Sequence, residues 1–230
     1  MRAPGQLRMS ASLALAPRQS QAAEDPAVLV AELMASRQTI LPKRLLEPGP
    51  DAGQLQAIWS AAATAPDHGQ LLPWRFVLVP PGARASLAEV FAEALRTRDA
   101  RANPGQLAQA REKAYRSPLL MLAVVDAACG DPEIDLSERI LSAGCAVQNM
   151  LLMATAQGFG SGLTSGKALK SAALRQLFDL SADEHALCFV SIGTAPSRKP
   201  ARVRPQAHQF SSSLTPTPAG PRRPDGGRAR

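Results

Sequence analysis

The chain has 230 residues, of which 45% are hydrophobic and 4% aromatic, enough for one folded domain with its own core. Its formal net charge is +7, but the residues from Ser197 onward carry a net +7 and the first 22 residues a net +3, which leaves −3 for the segment between them. Because a basic patch on the folded part is the expected footprint of a nucleic-acid-binding domain, this distribution argues against nucleic acid as a partner.

Three scattered cysteines without a C-x-x-C pair argue against a disulfide framework or a zinc site and predict a reducing, cytoplasmic location.

Both ends of the chain differ in composition from its centre. Residues 1–25 are predicted to be a disordered extension, and residues 211–230, rich in Pro, Gly, Ser and Arg, a disordered basic tail that cannot bury enough apolar surface to fold. This leaves residues 26–210 as one domain. No apolar run approaches the roughly 18 residues that a membrane span needs, so the most apolar segment, 140–159, is predicted as a buried helix, and no membrane is expected as a partner.

Helices outnumber strands in the predicted element order. Helical spacing or strand-like apolar runs predict the following elements: helix 27–37, a helix after a capping box at Asp51 and Gln54, strand 75–79, helices 85–95 and 104–115, strand 118–125, helix 136–157, helix 174–178 and strand 186–193. The order lacks a regular strand–helix–strand alternation. It therefore predicts an α+β or three-layer fold.

The stretch "APDHGQLLPW", residues 65–74, contains the least ordinary histidine. A metal would need three or four ligands, and the only near neighbour of His68 in sequence that could ligate is Asp67, so no metal site is predicted. No G-x-S-x-G segment supplies a nucleophile that His68 would activate. From these residues alone His68 is either an ordinary turn residue or a contact to something outside the loop.

Two further segments allow a functional and a structural interpretation. Arg37, Gln38 and Thr39 close the first helix with groups that can bind a phosphate, although an arginine there also complements the helix dipole. The glycines of "GFGSG", residues 158–162, follow a helix rather than a strand, so they are no dinucleotide or phosphate fingerprint. They indicate either a helix cap followed by a turn, or a backbone that passes close to a flat ligand.

Four segments in fixed order resemble the nitroreductase family of flavin enzymes, in particular its short bacterial NAD(P)H nitroreductases. They are "SRQT", "APDHGQLLPW", "SAGCAVQNMLLMATAQGFGSGLTSG" and "SIGTA", and the similarity covers residues 29–210. The resemblance implies an α+β, nitroreductase-like three-layer sandwich with a mixed or antiparallel central sheet. It also implies an intertwined homodimer that binds FMN at each end of the interface, takes electrons from NAD(P)H and passes them to a small nitroaromatic or quinone-like acceptor.

The resemblance carries over residue by residue. The positions that would contact FMN are Arg37, Gln38, Thr39, Leu163, Thr164, Ser165 and Arg198, together with Thr64 and His68 from the partner subunit. The positions that would lie near the nicotinamide are Met153, Ala154, Thr155, Ala156, Gln157 and Gly158. No side chain is expected to be catalytic, because the flavin carries the hydride chemistry.

The chain also departs from the subgroup pattern. It has Thr64 where the subgroup has arginine, Leu163 and Thr164 where it has a Trp-Arg pair, and two extra residues around Leu41 and Pro42. Because a charge-assisted hydrogen bond is worth roughly 1.5–3 kcal/mol, we expect weaker FMN binding unless Arg198 and Lys199 compensate. The alternatives are another reaction on the same fold, such as reductive dehalogenation or flavin cleavage, and a non-catalytic flavin-binding protein.

Overall fold

The computed structural model describes residues 25–197, 200 and 202–214. Residues 25–197 belong to one compact unit, and the others belong to a second unit whose only described regular element is the 3₁₀ turn Ala207–Gln209. The predicted disordered segments lie outside the described residues, except for Asp25 and residues 211–214. Of the helices in the described part of the chain, none combines the length and apolarity that crossing a membrane requires.

The first unit contains six α-helices and four β-strands among its described residues. The helices are α1 (Pro26–Ser36), α2 (Ala52–Ala62), α3 (Arg84–Arg98), α4 (Pro104–Glu112), α5 (Leu136–Ala156) and α6 (Ala172–Leu177). The strands are β1 (Trp74–Leu78), β2 (Leu119–Asp126), β3 (Gly160–Thr164) and β4 (Glu184–Gly193). The predicted helices and three of the strands are confirmed, with ends that differ by a few residues, and β3 was not predicted.

The strands form one antiparallel sheet in the order β1-β2-β4-β3. The central strand β2 is buried along residues 120–125, as its apolar run predicted. Strand β3 lies at one edge, where it pairs with β4 from Gly160↔Gly193 to Thr164↔Phe189. The α+β prediction is therefore confirmed, with an antiparallel sheet.

Helices cover both faces of the sheet, which makes three layers. On one face α2 and α5 pack through Ile58 and Met150 against Met121 and Ile192. On the other face α3 and α6 pack against the alternate residues of the same strands, including Leu122. Because successive strand residues point to opposite faces, residues of β3 and β4 that pair across the ladder share a face. This rule decides which side each residue at the edge faces.

Helix α2 begins as its sequence predicted. The side chain of Asp51 accepts from the backbone N–H of Gln54 at 2.8 Å, and the Gln54 side chain accepts from the backbone N–H of Asp51 at 2.9 Å. This reciprocal pair satisfies two backbone donors that a helix start would otherwise leave unpaired. It fixes the start of the helix whose other end leads into the loop that carries His68.

Candidate functional site

The segment of Arg37, Gln38 and Thr39 reaches the edge strand β3 at Thr39. Helix α1 ends at Ser36, and the chain turns to an extended conformation at Arg37, with φ −62° and ψ 123°. Thr39 then forms a parallel bridge to Ser161, and the backbone N–H of Ile40 donates to the carbonyl of Ser161 at 2.8 Å. The predicted phosphate-binding trio is thus brought beside the strand that leads to Leu163, Thr164 and Ser165.

The close approach depends on glycine in β3. A Cβ atom at Gly162 would lie 2.3 Å from the carbonyl oxygen of Ile40, and one at Gly160 would lie 2.8 Å from Cβ of Ala195. Neither distance is compatible with a side chain, so these glycines admit a neighbouring backbone. The interpretation of the glycine run as a helix cap and turn is therefore wrong beyond Gly158, because the segment continues as a strand. Glycine recurs at positions 160 and 162, which is the two-residue period of a strand. This repeat is the signal that could have indicated β3.

The end of β3 presents unused hydrogen-bond donors. Leu163, Thr164, Ser165 and Gly166 are exposed. In the part of the chain that the structure describes, no acceptor is found for the backbone N–H of Ser165 or Gly166. A Cβ atom at Gly166 would meet nothing within 4 Å, so there is open space beside this residue. Two adjacent backbone N–H groups without an acceptor can bind an electronegative or anionic atom.

The loop that carries His68 is strained and exposed. Gly69, Gln70 and Leu72 all have positive φ, at 66°, 53° and 49°. A left-handed conformation costs a non-glycine residue roughly 1–2 kcal/mol. The backbone N–H of Leu72 donates to Asp67 at 2.7 Å, which helps to hold the turn.

His68 contacts the N-terminal end of α5, whereas β3 follows the C-terminal end of that helix. Its Nδ1 lies 2.8 Å from the Glu138 carboxylate, and its side chain is 67% exposed. Glu138 stands in the first turn of α5, whereas β3 begins four residues after the last residue of that helix. Because α5 has 21 residues, its ends lie about 30 Å apart. Among the described residues of one chain, no hydrogen bond or ion pair joins His68 to the predicted residues at the other edge.

Thr64 lies beside the same helix, farther along. Its hydroxyl donates to the carbonyl of Ala61 at 2.8 Å and accepts from the side-chain amide of Asn149 at 3.0 Å. The hydroxyl proton is therefore engaged within the chain, and only a lone pair is left for another molecule.

The predicted nicotinamide residues form the C-terminal turn of α5 and the residues after it. Ala154 is fully buried, and Thr155 is 9% exposed with its hydroxyl donating to the carbonyl of Leu151 at 2.7 Å. Ala156 and Gly158 are exposed, and Met153 and Gln157 are partly buried. Arg198 lies outside the described residues.

A cleft of about 570 Å³ opens on the α3 face of the sheet, next to the end of β3. Its floor includes Leu120, Phe189 and Ser191 from the sheet, and Thr164 and Ser165 lie at its edge. Residues 41–43, the two-residue insertion and the lysine after it, line another side. The volume lies in the range of small-molecule sites, which is roughly 300–1,000 Å³.

Arg84 anchors the segment that closes this cleft. The side chain is 5% exposed and donates to the carbonyls of Val79, Ala114 and Pro118 at 2.8, 2.7 and 3.0 Å. Burial lowers the pKa of this guanidinium, with Glu47 acting in the opposite direction. Through Ala114 these hydrogen bonds tie the 3₁₀ turn Lys113–Tyr115 to the residues that follow β1 and precede β2.

Among the described residues no three His, Cys, Asp or Glu side chains come together as metal ligands would. The three cysteines carry free thiols. Burial raises the pKa of the Cys188 thiol to about 11, so this thiol stays protonated and unreactive near neutral pH.

The comparisons with known proteins identify the class of protein to which this three-layer α+β fold belongs. Residues 34–194 match the nitroreductase family. A Haemophilus influenzae protein named "Putative NAD(P)H nitroreductase" is 34% identical over 152 residues, which are 66% of this chain and 82% of that protein. The chain therefore belongs to the nitroreductase family.

Solved structures share the same fold. A nitroreductase-like family protein from Bacillus cereus superposes with a TM-score of 0.67 at 15% identity, over 80% of this chain and 95% of the other. An FMN- and NADPH-dependent nitroreductase mutant from a strain given as sphigopyxis sp. HMH superposes with a TM-score of 0.63 at 17% identity, over 80% and 98% of the chains. At these identities the likeness shows the fold, and the family assignment shows an oxidoreductase.

Proposed function

We propose that this protein is an FMN-dependent NAD(P)H oxidoreductase that reduces nitroaromatic or quinone-like acceptors. The observation that carries the proposal is the seating of residues 37–39 against β3, which the absence of a side chain at Gly162 permits. When bound, FMN supplies the chemistry by accepting an electron pair from NAD(P)H and passing it on. The chain itself binds and orients, and we assign no side chain a catalytic role.

The residues at this edge fit a flavin nucleotide. Arg37, Gln38 and Thr39 offer a guanidinium, an amide and a hydroxyl, which suit a phosphate and a polyol chain. The backbone N–H groups of Ser165 and Gly166 have no acceptor among the described residues and would donate to the electronegative edge of a flat ring. Donors fixed in this way favour negative charge that develops on a bound ring, by the logic of an oxyanion hole.

A second copy of the chain would complete the site. No residue of α1 is buried, and Val28, Val30 and Met34 are each about half exposed, at 51%, 50% and 53%. On α5, one turn from Glu138, Leu141 is 68% exposed. Apolar surface of this extent usually marks an interface. We propose a homodimer in which Thr64 and His68 of each chain reach the FMN held by residues 37–39 and 163–165 of the other.

The proposed role of His68 follows from its exposure and from Glu138 being its single hydrogen-bond partner among the described residues. The ring has a second nitrogen besides the one facing Glu138, and the carboxylate orients the ring. His68 can therefore donate or accept across an interface without losing its contact within the chain. Thr64, whose proton is already engaged, would contribute a lone pair and not the positive charge of the subgroup's arginine.

We also propose that the protein works in the cytoplasm. Three free thiols, one of them inert through burial, are compatible with a reducing compartment.

The first experiment is the visible absorption spectrum of the purified full-length protein, followed by addition of FMN. We expect a flavin spectrum, a dimer by analytical ultracentrifugation, and NAD(P)H oxidation with nitroaromatics or quinones. Protein that neither binds added FMN nor oxidises NAD(P)H contradicts the proposal. Turnover of halogenated phenols alone would indicate reductive dehalogenation, release of a flavin fragment would indicate flavin cleavage, and FMN binding without any turnover would indicate a non-catalytic flavin-binding protein.

A further inference from the structure

We propose that the cleft on the α3 face binds aromatic acceptors that carry a carboxylate or a sulfonate. This inference rests on the proposed function for its biological meaning, because it names the class of acceptor. Its geometric basis is independent of FMN. The cleft combines a cationic rim, an apolar wall and one buried, unpartnered hydroxyl.

The rim of the cleft is cationic. The charged residues that line it are Lys43, Arg98, Lys113, Arg116 and Lys167, and none of the described lining residues is acidic. Arg116 pairs with Glu112 at 2.8 Å, whereas no carboxylate among the described residues forms an ion pair with the other four. The hydrogen bond from Arg116, and then the nearby charges of Lys43 and Lys113, hold the pKa of Glu112 below its ordinary range. Even with Glu112 counted, five cations face one carboxylate, so the rim keeps an excess of positive charge.

The positive rim is local, since the segment between the two basic ends of the chain carries a net charge of −3. Four unpaired cations around one concave opening raise the local potential and attract an anion, and the low-dielectric walls strengthen the effect. These side chains come from the insertion, from α3, from the turn after α4 and from the segment after β3. They converge only because the fold brings these elements to one opening.

The inner wall of the cleft suits an aromatic ring. Phe91 and Leu95 of α3 face Leu120 and Phe189 of the sheet. The rings of Phe91 and Phe189 meet edge to face, with centroids 5.6 Å apart. A flat apolar ligand would be enclosed by these side chains while its charged group stays at the rim.

The floor of the cleft holds a hydroxyl without a partner. Ser191 is 1% exposed, and no hydrogen-bond partner is found for its Oγ among the described residues. It pairs across the ladder with Gly162, which has no side chain to offer, and on the other side with Leu120. A buried hydroxyl left unpaired costs roughly 1–3 kcal/mol. A nitro or quinone oxygen of a bound acceptor would accept its proton.

The test compares 4-nitrobenzoate with 4-nitrobenzamide, which has nearly the same shape and no charge. Binding is measured by isothermal titration calorimetry on the full-length protein, with and without saturating FMN and without NAD(P)H. We expect 4-nitrobenzoate to bind about tenfold more tightly at low salt, and the preference to shrink as the salt concentration rises. Because no turnover is measured, the result stands whether or not the protein proves to be a nitroreductase.

Two pairs of variants locate the binding. Arg98→Gln with Lys113→Gln should reduce the preference to about twofold, whereas Arg96→Gln with Arg101→Gln removes the same charge outside the cleft and should leave it unchanged. Ser191→Ala should raise the melting temperature while weakening binding of both ligands several-fold. Ser161→Ala is the matched control, since its hydroxyl is also buried and unpartnered but faces the α5 side. It should raise the melting temperature without changing binding.

Four results would overturn the proposal. Equal affinity for the two ligands would remove the charge argument, and an undiminished preference in the Arg98/Lys113 variant would place the anion elsewhere. Displacement of 4-nitrobenzoate by one equivalent of FMN would assign the cleft to the cofactor. Binding that survives Ser191→Ala unchanged would leave the hydroxyl outside the site.

Discussion

The edge around β3 and the loop at residues 67–72 differ in how their backbones are satisfied. At β3 two glycines admit a neighbouring segment of the same chain, and no residue of the strand has a positive φ. In the loop three residues have positive φ, and His68 and Leu72 are mostly exposed, with side-chain and residue exposures of 67% and 63%. We call the close contact between β3 and residues 37–40 the cradle. The loop, in contrast, holds a strained conformation while most of the surface of His68 and Leu72 stays exposed. Strain of this kind concentrates at functional sites and interfaces.

The largest expected effect comes from filling the cradle. Gly162→Ala places Cβ 2.3 Å from the Ile40 carbonyl oxygen, so the 37–40 segment must move away from β3. We expect a loss of about 3 kcal/mol in the free energy of unfolding and loss of FMN binding. Urea denaturation and FMN titration by fluorescence measure the two quantities.

Gly144→Ala is the control for this change, because a Cβ atom there meets nothing within 4 Å and the position lies inside α5. It should stabilise the protein by up to about 1 kcal/mol through helix propensity. If Gly162→Ala behaves like Gly144→Ala, the cradle does not depend on this close approach.

The next largest effect is expected at the interface of the proposed homodimer. Leu141→Glu puts a charge on the exposed apolar end of α5, close to Glu138. We expect the dimer dissociation constant to rise by at least tenfold, because a buried unpaired charge is costly, and FMN binding to fall with the dimer fraction. Sedimentation velocity over a concentration series measures the dimer dissociation constant.

Leu177→Glu makes the same change on α6, where the leucine is 37% exposed, and should leave the dimer intact. A Leu141→Glu protein that stays dimeric at the wild-type concentration would exclude this surface from the interface.

A smaller effect isolates His68. His68→Ala should weaken FMN binding by about tenfold or more, which corresponds to the lower end of the free energy of a charge-assisted hydrogen bond. The free energy of unfolding should change little, because the side chain is exposed. His185→Ala, at another exposed histidine, should leave the FMN dissociation constant as it is. Unaltered FMN affinity in His68→Ala would show the proposed cross-subunit contact to be wrong.

The smallest effect tests the strain itself. Gln70→Gly removes the roughly 1–2 kcal/mol cost of its positive φ and adds about 0.4–1 kcal/mol of unfolded-chain entropy, so the net should be a stabilisation of about 0.5 kcal/mol. If the strained shape serves to present His68, FMN binding should weaken while the melting temperature rises. A stabilised variant with unchanged FMN binding would mean that the strain has no part in binding.

Sequence patterns predicted most of the elements because their signals are local. The capping box at Asp51 and the apolar run of β2 each contain the interactions that define them, and the structure confirms both. Strand β3 escaped prediction because glycine is a poor strand former, and its two glycines, Gly160 and Gly162, are required by Ala195 and Ile40, which are distant in sequence. The resemblance to the family carried the candidate site residues further than local pattern could, and their roles stay predictions.

The sequence by itself determined the α+β class, the helices and three strands, and the family, because periodicity, capping residues and ordered motifs are written along the chain. Only the tertiary structure decided which residues meet. It seated residues 37–39 on β3, separated them from His68 by the length of α5, and left the hydroxyl of Ser191 unpaired beneath four unpaired cations. These facts depend on contacts between segments that lie tens of residues to more than a hundred residues apart, and no local pattern contains them.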